Sequence, residues 1–265
     1  MEVRALQNFA GHFADVSDSF VIIGGCACNR WFGEAGLRFR STMDVDMIVV
    51  VEPKNELFFE RFWAFAMLGG YNNCIFRKGE GKLFRFERDE ENDEFPKQIE
   101  LLTTYDSLDC PEGIRIIAVE ADDPRFDLSA ILLDKDYYEL AVNSRDVSAK
   151  GLTMVPPDVL LLLKVKAYLN NVADRECGIA VKGDDIRKHR NDVYGLTYLL
   201  EGHYNGELTE TIKSDLKSFL EIFSEDNPEW AAIIQHQKNF GRAPILDASN
   251  YNQLIEEYYK IANHP

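Results

Sequence analysis

A chain of 265 residues, 46% of them hydrophobic, can bury a substantial core, as one large domain or as a core with an appendage, and two lobes are the expectation. Its net charge of −16 argues against a broad basic footprint for nucleic acid, leaving only a local basic patch, or a cationic substrate or partner. The most apolar run, residues 159–165, falls far short of the roughly 20 residues of a membrane span and contains Lys164, and the first residues lack a signal-peptide pattern, so a cytoplasmic protein without a membrane partner is expected.

The five cysteines, Cys26, Cys28, Cys74, Cys110 and Cys177, are odd in number and scattered, which suits reduced thiols. Cys26 and Cys28 have no second pair or nearby histidine to complete a zinc site and read as small buried hydrophobes.

In chain order, apolar spacings of three and four predict a helix over 2–13, then a β-branched strand over 19–23 that stops at Gly24 and Gly25, and a helical stretch over 26–32. A strand over 45–51 and an aromatic-rich helix over 56–68, stopped by Gly69 and Gly70, come next. Further strands are expected over 82–87, 97–102, 114–119, 130–133 and 138–142, with the acidic stretch 88–94 as the solvated tip of a hairpin. At Pro156 and Pro157 the texture changes to helices over 158–170, 184–201, 208–223, 228–239 and 249–262. The expected fold class is α+β, a mixed sheet with flanking helices over 1–155 and a helical bundle over 156–265.

Two aspartates carry the chemistry. In a strand, residues two apart share a face, so Asp44 and Asp46 project together while Val45, Met47 and Val49 point into the packing layer. With Cα atoms roughly 6 to 7 Å apart, both carboxylates can converge on one or two cations. Like charges this close repel by about 4 kcal/mol at 4 Å and an effective dielectric near 20, a sign that a divalent metal reverses. Hard oxygen donors suit Mg2+. The bland alternative is a pair of acids on the solvated face of an ordinary strand. The upstream Gly24-Gly25 turn leaves backbone N–H groups and a helix dipole beside the aspartates, where triphosphate oxygens can sit; alternatively it is only a tight turn.

The strand, Gly-Gly turn, helix and R-x-T-x-D-x-D pattern of Arg40, Thr42, Asp44 and Asp46 resembles the nucleotidyltransferase superfamily that includes DNA polymerase β. Within it, the pattern is most similar to the minimal nucleotidyltransferases of the abortive-infection toxin type. The resemblance implies a nucleotidyltransferase-like sheet and a third carboxylate on a later strand, here Glu100, completing a catalytic and magnesium-binding set with Asp44 and Asp46. It also matches Lys164 and Ala167 to a K-x-x-A element, and Lys188, Asp192, Val193 and Leu196 to a K-D-x-x-D element. Gly24, Gly25, Arg40, Thr42, Lys164, Lys188 and Asp192 are then the nucleotide-binding residues. Read without the resemblance, Lys164 snorkels to water and Asp192 pairs with Lys188 at i, i+4.

The implied activity transfers a nucleoside monophosphate from a nucleoside triphosphate to an acceptor hydroxyl of RNA, protein or a cationic small molecule, with an antitoxin as a partner. His189 stands where the family shows aspartate, and Cys26 where many members show serine. These departures keep open a catalytically degenerate nucleotide-binding or interaction module of the same fold.

Overall fold

The computed structural model describes residues 3–42, 44–50, 56–77, 83–88, 94–102, 115–119, 134–147 and 151–261. Helix α1 (Val3–His12) and a 3-10 segment (Ala14–Ser19) lead into β1 (Phe20–Ile23), whose four apolar residues are all buried. Helix α2 (Gly24–Glu34) follows without a connecting loop. Gly24 adopts φ +70°, a left-handed conformation that costs glycine little and lets strand become helix in one residue. Strand β2 (Asp44–Val49), helix α3 (Glu56–Gly69) and strands β3 (Tyr71–Arg77), β4 (Leu83–Arg88), β5 (Gln98–Leu102) and β6 (Arg115–Val119) complete the longer strands of the sheet.

Helix α4 (Lys135–Asn143) and two-residue strands β7 (Asp146–Val147) and β8 (Thr153–Met154) precede the helical half. Among the described residues the sheet runs β6-β3-β4-β5-β2-β1-β8-β7, mixing parallel and antiparallel neighbours. The protein is thus α+β, a mixed sheet with flanking helices.

The expectation of a strand over 138–142 is wrong. Tyr137, Leu140 and Ala141 are buried at helical spacing, and the Asp134 side chain accepts a hydrogen bond from the Asp136 N–H, capping α4. The aromatic and β-branched residues suggested a strand, but the cap and period decided otherwise. The expected strand over 130–133, most of the acidic stretch and Cys110 lie outside the described residues.

One face of the sheet packs on aromatic residues of α1 and α3. Phe9, Phe13, Phe20, Phe58 and Phe65 interlock with ring centroids 4.5 to 6.1 Å apart. The register places Phe20 opposite Val49 and Ile22 opposite Met47, so the odd-numbered residues of β2 look toward this layer and Asp46 looks the other way.

That other face is covered by α2, against which lies α5 (Pro157–Glu176). Trp31 of α2 donates to the Val155 carbonyl at 2.7 Å and fastens the two. Behind α5 come α6 (Gly183–Leu196), α7 (Glu210–Ile222), α8 (Trp230–Asn239) and α9 (Ala248–Tyr259), knitted by rings of Tyr168, Tyr194, Phe219, Phe223 and Trp230. No helix among the described residues is long and apolar enough to cross a membrane.

Candidate active site

The face of the sheet turned from the aromatic layer carries a row of charged side chains. Strands β2 and β5 are parallel and in register, Asp44 beside Gln98 and Asp46 beside Glu100; β4 runs antiparallel to β5 with Arg85 beside Glu100. Side chains at matched positions of adjacent strands share a face, so Asp46, Glu100 and Arg85 form one stripe. Asp46 and Glu100 are buried, while Asp44 sits at the open end of its strand.

Glu100 is held at one oxygen only. Its Oε1 accepts from Arg85 Nε at 2.8 Å, Arg85 Nη2 at 2.5 Å and Gln98 Nε2 at 2.9 Å. Its Oε2 is buried and meets no hydrogen-bond partner among the described residues. A carboxylate oxygen in that condition is costly unless a proton or a cation reaches it.

The two glycines fit against this stripe. A Cβ placed on Gly24 would lie 2.0 Å from Asp46 Oδ2, so only glycine lets the carboxylate rest on the turn. A Cβ on Gly25 would meet Arg40 Nη2 and Thr42 Oγ1, each at 3.3 Å. The loop bearing Arg40 and Thr42 is anchored where Asn29 of α2 donates to the Arg40 carbonyl at 3.2 Å and where Thr42 Oγ1 accepts from the Asp44 N–H at 3.4 Å.

From the helical side, α5 contributes Lys164 and α6 contributes Lys188, His189 and Asp192. Lys164 neither snorkels nor stands free: it is 3% exposed and lies 3.1 Å from Asp192. Arg40 reaches the same carboxylate, Nη2 to Oδ2 at 3.1 Å and Nε to Oδ1 at 3.4 Å. The anticipated i, i+4 pairing of Lys188 with Asp192 does not form; Lys188 pairs with Asp185 at 3.2 Å, because Asp192 is already taken by the buried Lys164 and the half-buried Arg40.

These groups enclose one cleft of about 100 Å³, lined by Gly25, Arg40, Thr42, Asp44, Asp46, Arg85, Gln98, Glu100, Lys164, Lys188 and His189. Of the expected site residues, Gly24 and Asp192 do not line it: Gly24 stands beneath Asp46, and Asp192 supports Arg40 and Lys164 from behind. The remaining eight meet there.

Electrostatics divides the cleft into two halves. Burial, and then the neighbouring Asp46 charge, push Glu100 up to about 8. Asp46 is raised by burial and by Asp44, and Asp44 by burial, against the pull of Arg85 and Lys188. Burial alone would raise Asp192, yet Lys164 and Arg40 hold it below the ordinary carboxylate value. His189 is driven well below the usual histidine range by burial and by Lys164, Lys188 and Arg40, so its ring is neutral.

No family model, curated protein or solved structure matches the chain.

No group of three histidine, cysteine, aspartate or glutamate side chains among the described residues is already arranged to hold a metal ion. Asp44, Asp46 and the unpartnered Oε2 of Glu100 are nevertheless hard oxygen donors on one strip of sheet, of the kind that suits a magnesium ion, and burial is the first cause that raises all three. Sequence reasoning missed Arg85 and Gln98. The signal was present: in Leu83-Phe84-Arg85-Phe86-Glu87, the buried Phe84 and Phe86 fix one face, and Arg85 must occupy the other, beside Glu100.

Proposed function

We propose that this chain is a magnesium-dependent nucleotidyltransferase, moving a nucleoside monophosphate from a nucleoside triphosphate to an acceptor hydroxyl. The observation that carries the reading is the register of Asp46 with Glu100 beside a glycine turn, facing Lys164 and Lys188 across one cleft.

Asp44 and Asp46 would hold magnesium, whose charge would offset their repulsion and stabilise the transferred phosphoryl group. The protein's own groups do the rest. Lys164, Lys188 and Arg40 draw the polyphosphate to the opposite wall, with the N–H groups of the Gly24-Gly25 turn below it. The acceptor oxygen attacks the α-phosphorus, the bond to the β-phosphate bridging oxygen breaks, and pyrophosphate leaves. The hydroxyl proton passes to Glu100 Oε2. That oxygen is the one of the pair without a hydrogen-bond partner among the described residues, and so the one open to a proton.

The test is calorimetry with each nucleoside triphosphate, with and without magnesium, on the wild type and on Asp46→Asn. Magnesium-dependent binding lost in the variant supports the reading; wild-type protein that binds no nucleotide, or a variant that retains transfer, refutes it.

One observation favours a second reading, a nucleotide-binding module without transfer. Glu100 is already engaged by Arg85 and Gln98, which hold its Oε1 on three hydrogen bonds. Magnesium-dependent nucleotide binding with no turnover across hydroxyl acceptors of RNA, protein and aminoglycoside-like cations would favour it.

A further inference from the structure

His189 is an anomaly that the reading above leaves without a task. It is 1% exposed, and neither ring nitrogen meets a hydrogen-bond partner among the described residues. A buried imidazole normally secures at least one partner, because an unmade hydrogen bond is a standing cost. This one instead lines the cleft, one residue after Lys188 on α6. Its electrostatic neighbours are Lys164, Lys188 and Arg40. It therefore belongs to the cationic half, and metal coordination is the less suitable employment for it.

We propose that His189 is a substrate-binding residue that donates a ring N–H to a phosphate oxygen of the polyphosphate, between the ammonium groups of Lys164 and Lys188. This rests on the nucleotidyltransferase reading and deepens it. Where the resemblance implies an aspartate, an anion would be repelled by the carboxylate or would need a cation between them. A neutral imidazole offers a donor with no such repulsion, and it adds no fourth positive charge to a crowded wall when the cleft is empty. A buried donor without a partner is also the cheapest kind to desolvate again, since it holds no bond that the ligand must break.

The deciding experiment measures binding of inorganic tripolyphosphate with magnesium to the full chain by calorimetry, for the wild type, His189→Gln and His189→Leu. Glutamine keeps an N–H donor; leucine fills the space without one. Binding should weaken about tenfold in His189→Leu, the worth of one hydrogen bond to a charged group, and stay within about threefold of wild type in His189→Gln. Thermal melting should show His189→Leu at least as stable as wild type, because an unpartnered polar ring has been removed. Should a variant fail to fold, the imidazole resonances of the wild type report directly: the His189 ring signals must move on adding tripolyphosphate.

Folded His189→Leu that binds as tightly as wild type, or ring signals that stay still while tripolyphosphate binds, overturns the role of His189 and leaves the nucleotidyltransferase reading standing. Wild-type protein that binds neither tripolyphosphate nor nucleoside triphosphate overturns both.

Discussion

Asp46 and Glu100 stand side by side on neighbouring parallel strands, both buried, and among the described residues only Glu100 has a countercharge within hydrogen-bonding distance, at Arg85. Each makes ionisation of the other harder, and burial adds to that cost. Glu100, ordinarily near 4.5, is pushed up to about 8. An acid whose folded-state pKa is raised adds stability at low pH and loses it as pH rises toward and through that value. The stability difference between wild type and Glu100→Gln should therefore shift in favour of the variant between about pH 4.5 and pH 8. Urea denaturation at pH 5 and pH 8.5 measures it, and a difference that stays flat across this window contradicts the burial of two carboxylates side by side.

Magnesium should act on the same repulsion. A ligand that binds only the folded state at a hundred times its dissociation constant stabilises by about 2.7 kcal/mol. The wild type should melt at a higher temperature as magnesium is added at pH 8, and Asp46→Asn should not respond. Equal responses would place the bound ions elsewhere on a surface with net charge −16.

Asp192 carries a different kind of load. It is 2% exposed and joins Arg40 of the loop before β2 to Lys164 of α5. Removing one partner of a buried ion pair costs about 3–5 kcal/mol, and Asp192→Asn strands two cations at once, so a loss of at least about 3 kcal/mol is expected at pH 7. Lys164→Met should cost less, since Arg40 still neutralises Asp192. The pKa of Asp192 is depressed below its ordinary 3.8, so its stabilisation is present above that value and disappears as pH falls below it. Denaturation curves of both variants at pH 7 and pH 3 check the order and the convergence.

The sheet half of the site was legible because two-residue periodicity is local. Asp44, Asp46 and the glycine turn follow from alternation and spacing, whereas Glu100 is nominated by the resemblance and not by any local pattern. The partners of those residues were not, because they depend on register and long-range closure. Arg40 meets Asp192 across 152 residues of chain, and the local choice, Lys188 at i, i+4, lost to it. Helix α4 was misjudged for a related reason: the Asp134 cap outweighed the strand-like composition that follows it. Lys164 in its apolar run reads locally as snorkelling to water, but its partner, Asp192, lies on α6.

The turn beneath Asp46 offers the sharpest steric test. Gly24→Ala meets two obstacles: a backbone at φ +70°, which costs a side-chain-bearing residue about 1–3 kcal/mol, and a Cβ lying 2.0 Å from Asp46 Oδ2. In an Asp46→Ala background the second obstacle largely goes, since the nearest remaining Asp46 atom is Cβ at 3.2 Å. The two substitutions should therefore be non-additive, with Gly24→Ala costing less in the Asp46→Ala protein than in the wild type. A double-mutant cycle by urea denaturation gives the coupling directly. If the cycle closes to zero, Asp46 does not rest on the turn, and the glycine serves only the backbone. In the wild-type background, Gly24→Ala should also abolish magnesium-dependent nucleotide binding, because the displaced carboxylate no longer stands beside Glu100.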